Sequence, residues 1–308
     1  MNKKTIKILT GEEEATYDWI SLQQMLHNGR KNMTKDDSVA INSGPPHAGK
    51  YPMGIIDTGG VSSQIGFVPA DPFEGNIRID TFGEDSAFFA KSFLNFGMYE
   101  SRAILETNII RKCLKNKCET VYNPCFLVNN MQHADYGNVR YELHGTGDFE
   151  KCYAEVKELF TDSSSDCPPN ADFADRCIME STILPVPYHG TKFIAIDNAN
   201  RAARFFGFQG YTKLADVKKK VQEYCAMTWE DAQEVFAPDT TTFRLRRYCY
   251  EGVYLLALFH EGYRFPLDSD EIAFSDYIGG DHLNWALGAM SHQVHQMCKL
   301  GALPSGNY

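Results

Sequence analysis

Residues 53–57 and 64–68 are two short apolar runs separated by a turn that begins Thr58-Gly59-Gly60. That is the pattern of a β-hairpin closed on glycine. It constrains the chain more than any other segment, because a strand pair must be covered on at least one face to be stable. Two successive glycines also let the backbone approach a ligand closely and point N–H groups at an anion. Asp57 at the strand end can hold a metal ion through water, and Ser62 can bind a phosphate oxygen. Gln64 can orient an attacking water. Taken alone, the segment is read equally well as a tight turn with no ligand.

Helical periodicity is expected over residues 12–27, 87–115, 148–161, 192–208, 214–228, 243–261 and 284–300, and a short strand over 5–9. Acids occupy the first turn of the first helix, where the helix dipole favours them. Residues 28–50 are polar and read as a loop, as do Cys167-Pro168-Pro169 and Pro185-Val186-Pro187. Strands mixed with many helices predict α/β layers.

With 43% hydrophobic and 23% charged residues, the 308-residue chain has the composition of a folded protein. Its 30 basic and 40 acidic side chains give a formal net charge of -10. That argues against nucleic acid as a partner, since phosphate neutralisation needs clustered Lys and Arg. No apolar run is long enough to span a membrane. The basic start, Met1-Asn2-Lys3-Lys4, is not followed by the apolar core of a signal peptide. Nine cysteines without zinc-type CxxC pairs nevertheless favour an oxidising compartment, the secretory lumen or the cell exterior.

Three suggestive patterns fail on physical grounds. Gly44-Pro45-Pro46-His47-Ala48-Gly49-Lys50 has P-loop spacing, but Tyr51 stands where a Ser or Thr should meet magnesium, and two prolines remove N–H donors. Asp57-Thr58-Gly59 matches one half of an aspartic-protease dyad, and the chain has no second such motif. His292, His295 and Cys298 share a helix spacing that metal ligands can take, but an ordinary polar helix face explains them better.

The glycine hairpin does not stand alone. Gly11-Glu12-Glu13-Glu14-Ala15-Thr16-Tyr17-Asp18-Trp19-Ile20 precedes it, and Trp285-Ala286-Leu287-Gly288-Ala289-Met290 follows near the end. In this order and spacing the three segments resemble the third, fourth and fifth signature regions of the apyrase family, the nucleoside triphosphate diphosphohydrolases. Ser92-Phe93-Leu94, Asn123-Pro124-Cys125-Phe126, Leu184-Pro185-Val186-Pro187 and Gly262-Tyr263-Arg264-Phe265 resemble further landmarks of that family.

The resemblance implies an actin-like (ribonuclease H-type) α/β lobe that hydrolyses nucleoside tri- and diphosphates with Ca²⁺ or Mg²⁺. It places the catalytic base on Glu14, the water-orienting amide on Gln64, and the water-mediated cation contact on Asp57. The phosphate loop falls on Gly59, Gly60 and Ser62. Arg244 and Tyr248 fall where the family contacts the nucleobase, although helix surface or core packing would explain them as well. The implied disulfides are Cys125–Cys152, Cys167–Cys177 and Cys225–Cys249, with Asn95 standing where a lost pair had a cysteine. Cys113 and Cys118 are left to pair locally, and Cys298 remains over.

There are departures. Ala15 and Asp18 replace glycines of the glutamate motif, and the segment from Ile196 to Arg201 lacks the usual aromatic cluster. The family's first two signature regions do not occur. The expectation is therefore an incomplete two-lobe architecture, with residues 1–278 as the second lobe and 279–308 as a helix returning to an absent first lobe. The chain is then a fragment or a truncated relative, active only when completed, with self-association open. The competing expectation is an inactive lobe that binds nucleotide weakly or serves as an interaction partner.

Overall fold

The computed structural model describes residues 8–32, 53–71, 77–81, 84–163, 176–236, 238–299 and 301. The segment from Gly44 to Lys50 and Cys167 lie outside these residues. So does most of the expected strand at 5–9, of which Ile8 and Leu9 are described and are not in a strand.

A mixed seven-stranded sheet forms the centre, in the order β3-β4-β2-β1-β8-β10-β9. Its strands are β1 (Gly54–Thr58), β2 (Ser62–Phe67), β3 (Ile77–Thr81), β4 (Glu84–Leu94), β8 (Phe193–Asp197), β9 (Gly210–Tyr211) and β10 (Ile272–Phe274). The expected hairpin is present as antiparallel β1 and β2. Beyond it β1 runs parallel to β8, and β8 parallel to β10.

Strand periodicity separates the two faces. Ile55, Ile194 and Ile196 pack under α1 (Gly11–Asn32) with Trp19, Ile20 and Leu22. Ile56, Ile65, Phe67, Phe193 and Phe274 face the larger helical layer. At the centre of that layer is α7 (Thr242–Ala257), buried without a break from Tyr248 to Ala257. A stretch this apolar belongs inside, and its one acid, Glu251, is paired with Arg201 at 3.4 Å. Around it pack α2 (Met98–Lys115), α3 (Phe149–Ser163), α4 (Asn198–Phe205), α5 (Leu214–Cys225) and α6 (Trp229–Phe236). The last helix, α8 (Trp285–Lys299), lies against α1, where Gly288 meets the Tyr17 carbonyl and the His292 ring is 5.8 Å from that of Tyr17.

Two expected helices are shortened by strands. Residues 87–94 belong to β4 and 193–197 to β8. Both are apolar enough to suit either state, and membership of the sheet decides for strand. A small sheet of β5 (Val121–Asn123), β7 (Val139–Gly145) and β6 (Met131–Tyr136) sits beside α2 and was not anticipated.

The disulfides Cys113–Cys118, Cys125–Cys152 and Cys225–Cys249 are formed as expected. Cys177 is also disulfide-bonded, and Cys298 is a free thiol. Asn95 adopts φ 71°, a left-handed conformation that Asn tolerates better than most residues.

Candidate active site

Thr10 starts the site by starting α1. Its hydroxyl accepts from the Glu13 amide at 3.2 Å, and the Glu13 carboxylate accepts from the Thr10 amide at 3.1 Å. This reciprocal capping box fixes the first helical turn, and Glu14 stands in that turn. Gly11 lies so close to β4 that a side chain there would overlap the Ser92 hydroxyl. Farther along, Trp19 Nε1 and Gln23 Nε2 donate to the Met53 carbonyl at 2.8 and 2.9 Å, tying α1 to the entry of β1.

Sheet register then lines up the partners of Glu14. Asp57 on β1 pairs with Gln64 on β2, and Gln64 pairs with Ser92 on β4. The Gln64 side chain is 2% exposed. Its amide nitrogen reaches Glu14 Oε2 at 3.1 Å, Ser62 Oγ at 2.8 Å and Ser92 Oγ at 3.3 Å. Its Oε1 is buried without a partner, a free acceptor beside the Glu14 carboxylate. On the opposite face of the sheet, Ser63 Oγ bonds the Asp57 carbonyl at 3.1 Å and Tyr263 Oη at 2.7 Å, so the hairpin is anchored from behind.

The glycine turn is equally well held. The Gly59 carbonyl accepts from Met98, the Gly60 carbonyl from Tyr99 and Glu100, and the Val61 carbonyl from Gly97, at 2.9–3.0 Å. The turn's carbonyls are thus drawn toward the start of α2. Gly97 is packed against Gly60 and Val61 too closely for any side chain. From the start of α4, just after β8, Asn198 Nδ2 donates to the Thr58 carbonyl at 2.9 Å and to Asp197 Oδ2 at 3.1 Å.

Carboxylates dominate the electrostatics. Burial pushes Asp57 up to about 8, reinforced by Asp197, Glu14 and Asp276. Burial, then the Asp57 and Glu14 charges, holds Asp18 well above the usual carboxylate range. Burial followed by Asp197 raises Glu14. Asp197 is raised by burial, against the pull of Arg201. Asp57 Oδ1 is sealed from solvent without a partner, an orphaned acceptor among negative charges that fits a hard cation. No group of three His, Cys, Asp or Glu side chains converges as a metal cage among the described residues, His292, His295 and Cys298 included. A cation at Asp57 would draw most of its ligands from water and phosphate.

The nucleobase candidates are placed differently from each other. Arg244 is on the exposed first turn of α7, whereas Tyr248 is buried with its ring stacked on Phe205 at 3.6 Å. The accessible rings beside them are Tyr99, 42% exposed, and Phe243, 64% exposed. The Arg247 guanidinium sits 5.2 Å from the Tyr99 ring centre and 3.9 Å from that of Phe243, and Arg201 lies 5.6 Å from Tyr99. Tyr99 also touches Gly60, so this aromatic and cationic surface begins at the glycine turn. Sequence reasoning missed Tyr99, Phe243 and Arg247, which carry no local signal. It also passed over Asp197, whose φ of 57° marks a strained residue at the end of a parallel strand.

Residues 1–304 match the GDA1/CD39 (nucleoside phosphatase) family. The chain belongs to that family. Among its curated relatives are the nucleoside-diphosphatase mig-23 of Caenorhabditis elegans and the ectonucleoside triphosphate diphosphohydrolase 1 of Mus musculus. The first is 26% identical over 95% of this chain and 55% of its own length. The second is 27% identical over 92% of this chain and 57% of its own length. The chain thus spans about half the length of the curated relatives it matches. The fold is shared with a crystal structure of nucleoside triphosphate hydrolases from Neospora caninum, at a TM-score of 0.67 and 14% identity, covering 98% of this chain and 66% of that one.

Proposed function

We propose that this GDA1/CD39 family chain carries the catalytic lobe of an apyrase-type hydrolase that removes the terminal phosphate of nucleoside tri- and diphosphates. The observation that carries the reading is the contact of Gln64 with Glu14 in line with Ser92 and Asp57 beside the glycine turn. It combines a base, a water-orienting amide, a phosphate cradle and a cation anchor in one cluster.

In this reading Glu14 accepts the proton of a water attacking the terminal phosphorus. Its partly desolvated carboxylate, raised above the ordinary range, is a stronger base than a solvated one. The free Oε1 of Gln64 accepts the other hydrogen of that water and so aims its lone pair. The Gly60 amide and the Ser62 hydroxyl bind phosphate oxygens, stabilising charge as it develops, while the Gly59 amide shapes the turn by donating to the Ser62 carbonyl at 3.0 Å. Asp57 holds Ca²⁺ or Mg²⁺ through water, and the bound ion supplies charge neutralisation at the phosphates. The nucleobase lies against Tyr99 and Phe243, with Arg247 and Arg244 at its edge and Tyr248 supporting the surface from beneath through Phe205. Residues 1–278 form the catalytic lobe and 279–308 its C-terminal helix, and the phosphate cradle is completed by a second lobe. The disulfides suit an extracellular or lumenal setting, as does the "ecto" in a relative's name.

Phosphate release from ATP and ADP in ¹⁸O-labelled water, with and without Ca²⁺ or Mg²⁺, tests the reading. Cation-dependent release with the label in inorganic phosphate supports it. Label in the nucleotide product, or release indifferent to EDTA, refutes it.

A further inference from the structure

Asp18 stands one helical turn beyond Glu14 on α1, with its carboxyl in hydrogen-bond contact with that of Asp57. Its side chain is only 1% exposed and is flanked in sequence by the core residues Trp19 and Ile20. A carboxyl placed this deep is costly unless paired or coordinated. The contact with Asp57 satisfies part of each group. Asp18 Oδ2 on α1 and Asp57 Oδ1 on β1 are both left buried without a partner. The charges acting on Asp18 are all acidic, namely Asp57, Glu14 and Asp197. A proton shared in their contact relieves one of the two groups, and a cation from outside the chain would relieve both.

We propose that Asp18 is a second carboxylate anchor, beside Asp57, for the hydrated divalent cation, so that α1 and β1 hold the ion between them. The proposal rests on the reading of Asp57 as the cation anchor. Two carboxylates facing an ion that keeps most of its waters and meets substrate phosphate suit Mg²⁺ or Ca²⁺ in phosphate chemistry. The placement also gives α1 two tasks, since the helix that presents Glu14 to the water then presents Asp18 to the ion. Occupancy by the cation would fix the helix relative to the hairpin before nucleotide arrives.

The test is isothermal titration of Ca²⁺ and of Mg²⁺ into the metal-stripped full chain, without nucleotide, for the wild type, Asp18→Asn, Asp18→Ala and Asp57→Asn. Circular dichroism confirms that each variant is folded, and the cation-induced rise in Tm gives a second readout. The proposal expects both Asp18 variants to lose at least tenfold in affinity and most of the rise in Tm. Affinity within twofold of wild type in a folded Asp18 variant, with Asp57→Asn impaired, overturns the role of Asp18 alone. Undiminished binding in Asp57→Asn, or none in the wild type, overturns the Asp57 reading as well.

Discussion

Asp57→Asn should make this protein more stable at neutral pH when no cation is present. The Asp57 carboxyl rises on folding from 3.8 to about 8 because it is buried among Asp197, Glu14 and Asp276. An acid raised in the folded state contributes fully below its unfolded value and loses that contribution as pH climbs toward the folded one. At pH 7 the gap from 3.8 spans about three units, each about 1.4 kcal/mol, or on the order of 4 kcal/mol against folding. Asparagine has nearly the same shape and no proton to hold. With unfolding entropy near 2 cal/mol/K per residue, this is about 6 °C in Tm for a chain of 308 residues. The assay is calorimetry in EDTA from pH 4 to pH 8. The expected result is a variant that matches the wild type at pH 4 and melts progressively higher than it as pH rises. An equal or lower Tm at pH 7, or a difference that does not change with pH, would refute the claim that this carboxylate is held at the expense of stability. Adding Ca²⁺ should close the gap by stabilising only the wild type.

Other outcomes follow from single contacts. Gly11→Ala forces a methyl group into Ser92 and should cost about 1–3 kcal/mol in urea unfolding, since both α1 and β4 are fixed by the sheet. Replacing Cys225 and Cys249 together by Ala opens a bridge across 24 residues and should cost about 3 kcal/mol, read as the loss of denaturation midpoint relative to the oxidised wild type. Arg247→Ala removes the cation lying over both Phe243 and Tyr99. It should weaken nucleotide binding about three- to thirtyfold in equilibrium titrations, with little change for inorganic phosphate.

The glycine hairpin was legible because its chemistry is local. Two apolar runs around a glycine pair mark the hairpin, and its pairing sets Asp57 opposite Gln64. Glu14 was singled out only by the resemblance to the apyrase family, because three successive acids in a first helical turn do not by themselves mark a base. Residues 87–94 misled because Phe88, Phe89 and Phe93 form a nearly continuous apolar run, which does not by itself distinguish strand from helix. Residues 193–197 misled because a central parallel strand is buried on both faces and shows no alternation. The β6–β7 hairpin was missed for the opposite reason, being only half-covered along β6. At the site, Tyr99 comes from α2, Arg201 from α4 and Phe243 with Arg247 from α7, and only packing around α7 reveals that they share a surface. The same packing turned Tyr248 inward onto Phe205, which residue type and spacing alone did not decide. Asp18 was visible as a replaced glycine, but its meaning depends on the distance to Asp57 across the fold.

The most direct test is Glu14→Gln in an active parent carrying both lobes, with turnover and binding measured on the same preparation. The substitution keeps the size of the side chain and its contact with Gln64 while removing the basic oxygen. The account predicts that cation-dependent phosphate release falls by at least 10²-fold, the low end for losing a positioned general base, while the Kd for a non-hydrolysable nucleotide changes less than threefold. Turnover near the wild-type rate with unchanged binding would contradict the assignment of Glu14 as the base.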